Sequence, residues 1–325
     1  MTGMFRFYRY GGPQELVYDD VESGPPGRGQ VRIRNAAVAV NFRDVMLRRG
    51  SYEVTAFPSG IGIDSVGIVE AVGPEVHGVT MGDRVACIDG ADGAYAELRI
   101  IQASRAIVVP PAIDDATVAG MMLRGMMARN LLKETYRVRS GDPILVHAAA
   151  GGLGLIMCQW ARHLGATVIG TVGSREKALV AREYGCAHTI ILGEEDFAER
   201  VLDITGGEGV PVVYDSIGWE TFEGSLRCLS RRGVLASFGE VSGDPEPLTP
   251  RLLGEYGSVY LTYPRLGDYT ATRAQLLDCA SDLFAMVTSG RLHIVISRTY
   301  ALEDAARAHS DLESRATTGS VVLVV

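Results

Sequence analysis

The sequence predicts an α/β protein in two parts, a β-barrel-like module and a doubly wound parallel sheet. Three observations carry that prediction. Residues 1–110 hold short β-prone runs broken by frequent turn signals. From residue 141 onward, apolar strand-like runs alternate with helical periods, as in a parallel sheet. The third observation is the stretch 143–154, where an apolar run enters a tight glycine turn and a helix opens behind it. That helix shows in its period, with Leu153, Ile156, Met157, Trp160 and Leu164 on one stripe.

The elements follow in order. Residues 30–40 alternate apolar and polar over their first half, as a half-buried strand does. Strands are expected at 65–73 and at 79–87, the latter carrying a Gly–Asp turn, and one helical turn at 41–49 interrupts the module. Pro110 and Pro111 mark a boundary. Residues 115–132 then read as a helix whose methionines (Met121, Met122, Met126 and Met127) are expected to fill gaps between two domains, with a soft ligand surface as the alternative. Further helices are expected at 174–184, 195–205 and 219–229, with strands at 189–192, 210–217 and 233–238. The run from Ser258 to Tyr263 extends the sheet. The tail, with helices 272–288 and 302–314 and strands 293–298 and 320–325, returns to complete the first domain. The expected domains are therefore 1–124 with 264–325, and 125–263.

Composition narrows the function. At 325 residues the chain can build two hydrophobic cores. A net charge of −8 argues against a broad nucleic-acid footprint or an anionic membrane surface. The first residues lead into a β-like run without the pattern of a signal peptide, and no apolar run reaches membrane-span length. The five cysteines are scattered and contain no Cys-x-x-Cys, which is neither a disulfide frame nor a zinc knuckle. A cytoplasmic protein with no nucleic-acid or membrane partner is expected.

Strand, glycine turn and helix N-terminus make a seat for a pyrophosphate, because unpaired N–H groups and the positive end of the helix dipole face the anion. The dinucleotide fingerprint requires small residues at three places, here Ala149, Gly151 and Gly154, with Gly152 and Leu153 in the first turn. Ala149 replaces the first glycine, which is tolerable where that residue does not need positive φ. An NAD site ends its second strand in Asp or Glu, to hold the ribose 2′-hydroxyl. This one ends in Gly173, Ser174, Arg175, Glu176 and Lys177, whose hydroxyl and two cations suit a 2′-phosphate. Glu176 is expected to face elsewhere. NADPH is the expected cofactor. Ligands bind over the carboxyl ends of such strands, so Ser216, Gly218, Phe238 and Gly239 belong to the same crevice.

The ordered motifs complete the reading. Asn-Phe-Arg-Asp at 41–44, Pro-Ser-Gly-Ile-Gly at 58–62, Gly-Asp-Arg-Val at 82–85, His-Ala-Ala-Ala-Gly-Gly-Leu-Gly at 147–154, Val-Tyr-Asp-Ser at 213–216 and Glu-Ser-Arg-Ala-Thr at 313–317 occur together. Over its full length the chain resembles the zinc-free NADPH:quinone oxidoreductases, the ζ-crystallin type of medium-chain dehydrogenase/reductase. The resemblance implies a GroES-like catalytic domain plus a Rossmann domain, and homodimers joined at the edge strand between Ser258 and Tyr263. It also implies that Asn41 and Asp44 line the nicotinamide side of the active site, that Tyr52 lies on the substrate side, and that Arg315 reaches the cofactor's phosphates. Each has a plainer alternative: Asp44 caps the local helical turn, Tyr52 packs at a barrel rim, and Arg315 is a last-turn helix cation.

Zinc-dependent relatives need a thiolate where this chain has Asn41 and an imidazole where it has Ile63, and neither replacement ligates Zn²⁺. The stretch after Cys87 is short and lacks a four-cysteine lobe, so no metal is expected. Three departures from the family matter. Met46 replaces a tyrosine, Met127 a threonine, and Leu192–Gly193 a tyrosine–arginine pair that grips the 2′-phosphate. The expected function is hydride transfer from NADPH to a quinone without metal. The alternatives are reduction of an α,β-unsaturated carbonyl (an enoyl or enone reductase) and an NADPH-binding sensor or structural protein without turnover.

Overall fold

The structure is a computed structural model that describes residues 1–88, 93–315 and 317–325. Ala316 of the 313–317 motif and residues 89–92 of the stretch after Cys87 lie outside the described residues. The chain forms two compact units. One comprises Met1–Arg124, Ala271–Thr288 and Ile294–Val325, and the other Gly125–Thr270 and Ser289–His293.

The first unit opens with β1 (Thr2–Phe7), β2 (Val17–Val21), β3 (Gln30–Val40), α1 (Phe42–Arg49) and β4 (Ser59–Gly60). It continues with β5 (Asp64–Val72), β6 (Arg84–Ile88), β7 (Leu98–Gln102) and β8 (Ala106–Val108). The strand β3 organises this unit, pairing antiparallel with both β5 and β7. Its burial alternates through Asn35 and then becomes continuous from Ala37 to Val40, where both faces are covered. The strand expected from residue 79 begins only at Arg84. Ahead of it, Thr80 N–H donates to Asp83 Oδ2 at 2.7 Å and Gly82 takes a φ of +92°, so those residues make the turn. The helix α2 (Asp115–Asn130) ends in a π turn at Leu131–Thr135, and its four methionines are all buried.

The second unit contains β9 (Pro143–Val146), α3 (Gly152–His163), β10 (Thr167–Val172), α4 (Arg175–Glu183), β11 (His188–Ile191) and α5 (Phe197–Ile204). It continues with β12 (Val210–Asp215), α6 (Trp219–Arg227), β13 (Leu229–Ser237), α7 (Pro250–Glu255), β14 (Tyr260–Thr262) and α8 (Leu266–Tyr269). All strands are parallel, in the order β11-β10-β9-β12-β13-β14. Numbered within the unit, that is the 3-2-1-4-5-6 order of a dinucleotide-binding sheet, and the order reverses between β9 and β12. The β12–β13 register shifts between Val210 and Val212, where Pro211 has no N–H for the ladder. The core is built on Leu145, Ile169, Val213 and Leu235 of the central strands, all fully buried. Each contributes about 1.5–3 kcal/mol.

The tail supplies α9 (Arg273–Thr288), β15 (Ile296–Ala301), α10 (Ala305–Glu313) and β16 (Ser320–Val324). It returns to the first unit: β16 pairs antiparallel with β3, and β15 parallel with β16. Residues 264–270 and 289–293, expected in the first domain, belong instead to the second unit. There the Gln159 amide donates to His293 O and accepts from His293 N, each at 2.9 Å. Among the described residues, no helix is long and apolar enough to cross a membrane.

Candidate cofactor site and catalytic residues

The glycine turn begins where β9 ends. His147 N–H donates to Tyr214 O at 3.0 Å, Ala149 N–H to Thr171 O at 3.0 Å, and Gly151 N–H to Ala148 O at 2.8 Å. Gly151 is the N-cap of α3, in extended conformation and with no side chain to occupy the first-turn N–H groups of Gly152 and Leu153. Those groups are available to an anion. At Gly154 an added Cβ would lie 2.2 Å from Ala148 O and 2.7 Å from Ala149 Cα, so only glycine fits. The left-handed residue of the turn is Ala148, at φ +52°, and Ala149 is not among the positive-φ residues. Ala149 fits because β10 leaves room for its methyl group, since a Cβ on Gly170 would come within 2.5 Å of it. Ala148 in that conformation costs about 1–2 kcal/mol.

Beyond the end of β10, the Ser174 hydroxyl caps α4 and accepts from Lys177 N–H at 3.3 Å. Glu176 does not face away as expected. Its carboxylate accepts from the Ser174 hydroxyl, which holds it below the usual carboxylate range. The reason is local, because a carboxylate in the first turn is within reach of its own N-cap hydroxyl. The Arg175 guanidinium is drawn to Glu194, at 3.1 and 3.3 Å from its two carboxylate oxygens. Lys177 is half-buried.

The other residues expected at the cofactor lie close together. Phe238 N–H donates to Asp215 O at 2.8 Å, and a Cβ on Gly239 would lie 2.5 Å from Ser216 O. Gly218, at φ +95°, is the N-cap of α6, and a Cβ there would lie 2.4 Å from Gly243 O. Ser216, Gly218, Phe238 and Gly239 thus form one wall beyond the ends of β12 and β13.

In the first unit, Asn41 is the N-cap of α1 and 4% exposed, and its amide donates to Asp64 Oδ1 at 2.6 Å. Asp44 is fully buried. It accepts from Asn41 N–H at 2.9 Å, which is the capping alternative, and from the Tyr95 hydroxyl at 3.1 Å. Burial pushes the Asp44 carboxyl up to about 7, opposed by the Asn41 N–H. Burial also raises Asp64, opposed by the Arg124 guanidinium and the Asn41 amide. Behind Asp44, Tyr95 Oη lies 3.0 Å from His309 Nε2, and burial drives that imidazole down to about 3. Arg48, with a fully buried side chain, is ion-paired to Glu313. Tyr52 is half-buried against the core cluster that contains Phe7, Leu47 and Tyr95. Arg315 is exposed and lies beyond the end of α10, in the left-handed conformation at φ +57°. It is therefore past the last helical turn. Among the described residues, no group of three His, Cys, Asp or Glu side chains converges as a metal site.

Sequence reasoning missed Tyr95 and His309. The one local signal was the helical spacing of Ala305, Ala308 and Leu312, which turns the neighbouring His309 inward.

Residues 27–111 match the alcohol dehydrogenase GroES-like domain family, and residues 152–282 the zinc-binding dehydrogenase family. Together with the parallel sheet and its glycine turn, these matches define a medium-chain dehydrogenase/reductase. The chain is 45% identical over 324 residues to a quinone oxidoreductase of Pseudomonas aeruginosa, covering 100% of each. It is 46% identical to a 2-haloacrylate reductase of Burkholderia, covering 98% of this chain and 97% of that one. Among solved structures, an Escherichia coli quinone oxidoreductase complexed with NADPH superposes with a TM-score of 0.98 at 41% identity, over 99% of this chain and 100% of that one. The chain belongs to the quinone oxidoreductase family of the medium-chain dehydrogenases/reductases.

Proposed function

We propose that this chain is an NADPH-dependent quinone reductase that works without a metal ion. The observation that carries the reading is its full-length likeness, at a TM-score of 0.98, to the quinone oxidoreductase complexed with NADPH. The site fits that cofactor: the α3 N-terminus presents amides where only glycine packs, and no carboxylate ends β10. When bound, NADPH supplies a hydride to an electron-poor acceptor. Ala149, Gly151, Gly152, Leu153 and Gly154 hold the pyrophosphate, and Arg315 adds charge in the phosphate region. Ser174, Arg175 and Lys177 hold the 2′-phosphate, while Ser216, Gly218, Phe238 and Gly239 wall the crevice. Asn41 and Asp44 orient the nicotinamide side, and Tyr52 donates its hydroxyl proton towards the reduced oxygen. Asn41 and Ile63, where zinc relatives carry ligands, leave catalysis to the cofactor.

A second reading, reduction of an α,β-unsaturated carbonyl, is favoured by the 2-haloacrylate reductase at 46% identity. Turnover of NADPH with 1,4-benzoquinone, 9,10-phenanthrenequinone, an alkenal, crotonyl-CoA and 2-chloroacrylate separates the two. Quinones as the fastest acceptors support the first reading, faster acrylate or enone turnover supports the second, and tight NADPH binding with no turnover makes the protein a sensor. We place the enzyme in the cytoplasm as a homodimer joined along β14, where Tyr260, Leu261 and Tyr263 are exposed. Light scattering that gives a monomer mass would exclude the dimer.

A further inference from the structure

The glycine-turn motif opens on a residue that the cofactor reading leaves unused, His147. Its imidazole is 2% exposed and bonded on both nitrogens. Thr171 Oγ1 lies 2.8 Å from Nδ1, and Ser225 Oγ lies 2.9 Å from Nε2. Ser225 donates to Asp215 Oδ2 at 2.8 Å. The other Asp215 oxygen accepts the N–H groups of Ile217 and Gly218 at 2.8 and 3.1 Å, and the Thr221 hydroxyl lies 2.9 Å from both oxygens.

These contacts fix the protons. A carboxylate only accepts, so Asp215 takes the single hydroxyl proton of Ser225. The serine oxygen must then accept from His147 Nε2–H. Nδ1 is therefore bare and accepts from the Thr171 hydroxyl. Burial pushes the His147 imidazole down, in keeping with this neutral form. The order is carboxylate, serine, imidazole. A nucleophilic triad needs the imidazole in the middle, so this serine is not activated.

The position of the network gives it a different use. His147 immediately precedes the glycine turn, and Asp215 immediately precedes Ser216–Gly218. His147 is the first residue after β9 and Asp215 the last of β12, the strands on either side of the topological switch, while Thr171 sits on β10 one residue before its end. One ring therefore ties together the three strand ends that carry the cofactor contacts. The Phe197 ring packs near-perpendicular to it, with the two ring centroids 5.1 Å apart.

We propose that His147, through Thr171 and through Ser225 to Asp215, is a positioning residue that sets the spacing between the glycine turn and the Ser216–Gly218 loop for the nucleotide. This rests on the NADPH reading. The test is calorimetric NADPH affinity together with KM and kcat for Thr171→Val, Ser225→Ala, their double variant and His147→Phe, each beside its melting temperature. The single variants are expected to raise both Kd and KM for NADPH about fivefold, the worth of one hydrogen bond, with kcat changed less than twofold. The double variant is expected to fall short of the product of the singles, because both act through one ring. His147→Gln, whose amide keeps a donor and an acceptor, is expected to recover part of the affinity lost in His147→Phe. Unchanged Kd and KM beside a lowered melting temperature would make the network merely structural and overturn the proposal. If His147→Phe does not fold, Thr171→Val decides alone. A wild-type protein that does not bind NADPH overturns the underlying reading and this proposal together, whereas tight wild-type binding with unaffected variants overturns this one only.

Discussion

The Tyr95 hydroxyl stands between two buried titratable groups, 3.1 Å from Asp44 Oδ2 and 3.0 Å from His309 Nε2. With the imidazole pushed down to about 3, His309 is neutral at physiological pH, and Tyr95 donates to Asp44. Burial raises Asp44 to about 7, above the value of roughly 3.9 it takes in an unfolded chain. Between about pH 4 and about 7 the native state therefore holds a proton that the unfolded state has released, and stability falls as pH rises through that window. Asp44→Asn has no such proton. Urea unfolding across that range should show wild type losing stability relative to the variant as pH rises, and a difference independent of pH would contradict the shift.

Asn41 and Asp64 form a buried amide–carboxylate bond of 2.6 Å. Asn41→Leu removes the donor and leaves Asp64 with the longer Leu123 N–H contact of 3.4 Å and the nearby Arg124 charge. The expected loss is about 2 kcal/mol of unfolding free energy. A variant as stable as wild type would show that the bond carries no weight.

Gly154→Ala tests the turn itself. Its new methyl would meet backbone on two sides, at Ala148 O and Ala149 Cα, and neither can swing away as a side chain would. Displacing the turn should lower stability by about 2 kcal/mol and weaken NADPH binding at least tenfold. NADH should weaken in proportion, because both cofactors share the pyrophosphate.

If Arg175 meets the 2′-phosphate as proposed, its ion pair with Glu194 competes with that contact. Both partners are exposed, so the pair is worth at most about 1 kcal/mol. Glu194→Gln is expected to tighten NADPH binding about two- to fivefold and leave NADH unchanged. Lys177→Ala should raise the NADPH dissociation constant about tenfold, again sparing NADH. Equal effects on the two cofactors in either variant would place these side chains away from the 2′-phosphate.

The parts legible in the sequence are those whose cause is local. The glycine turn, the alternation along Gln30–Val40 and the period of Gly152–His163 are each set by residues within a few positions of one another. Pairings set by packing gave no such signal. Tyr95 meets Asp44 across 51 residues of sequence, Arg48 meets Glu313 across 265, and His147 meets Ser225 across 78. Arg175 looked available because the carboxylate that engages it, Glu194, arrives from the next strand's loop, 19 residues on. Glu176 is held by its own N-cap hydroxyl, Ser174, a contact that helical spacing alone does not signal.

The most direct measurement is the rate of NADPH oxidation by 9,10-phenanthrenequinone before and after exhaustive dialysis against EDTA. The expected result is rapid, NADPH-dependent turnover that the chelator leaves unchanged. Turnover that is lost on dialysis and restored by Zn²⁺, or no quinone reduction under either condition, would contradict an enzyme whose chemistry rests on the nicotinamide alone.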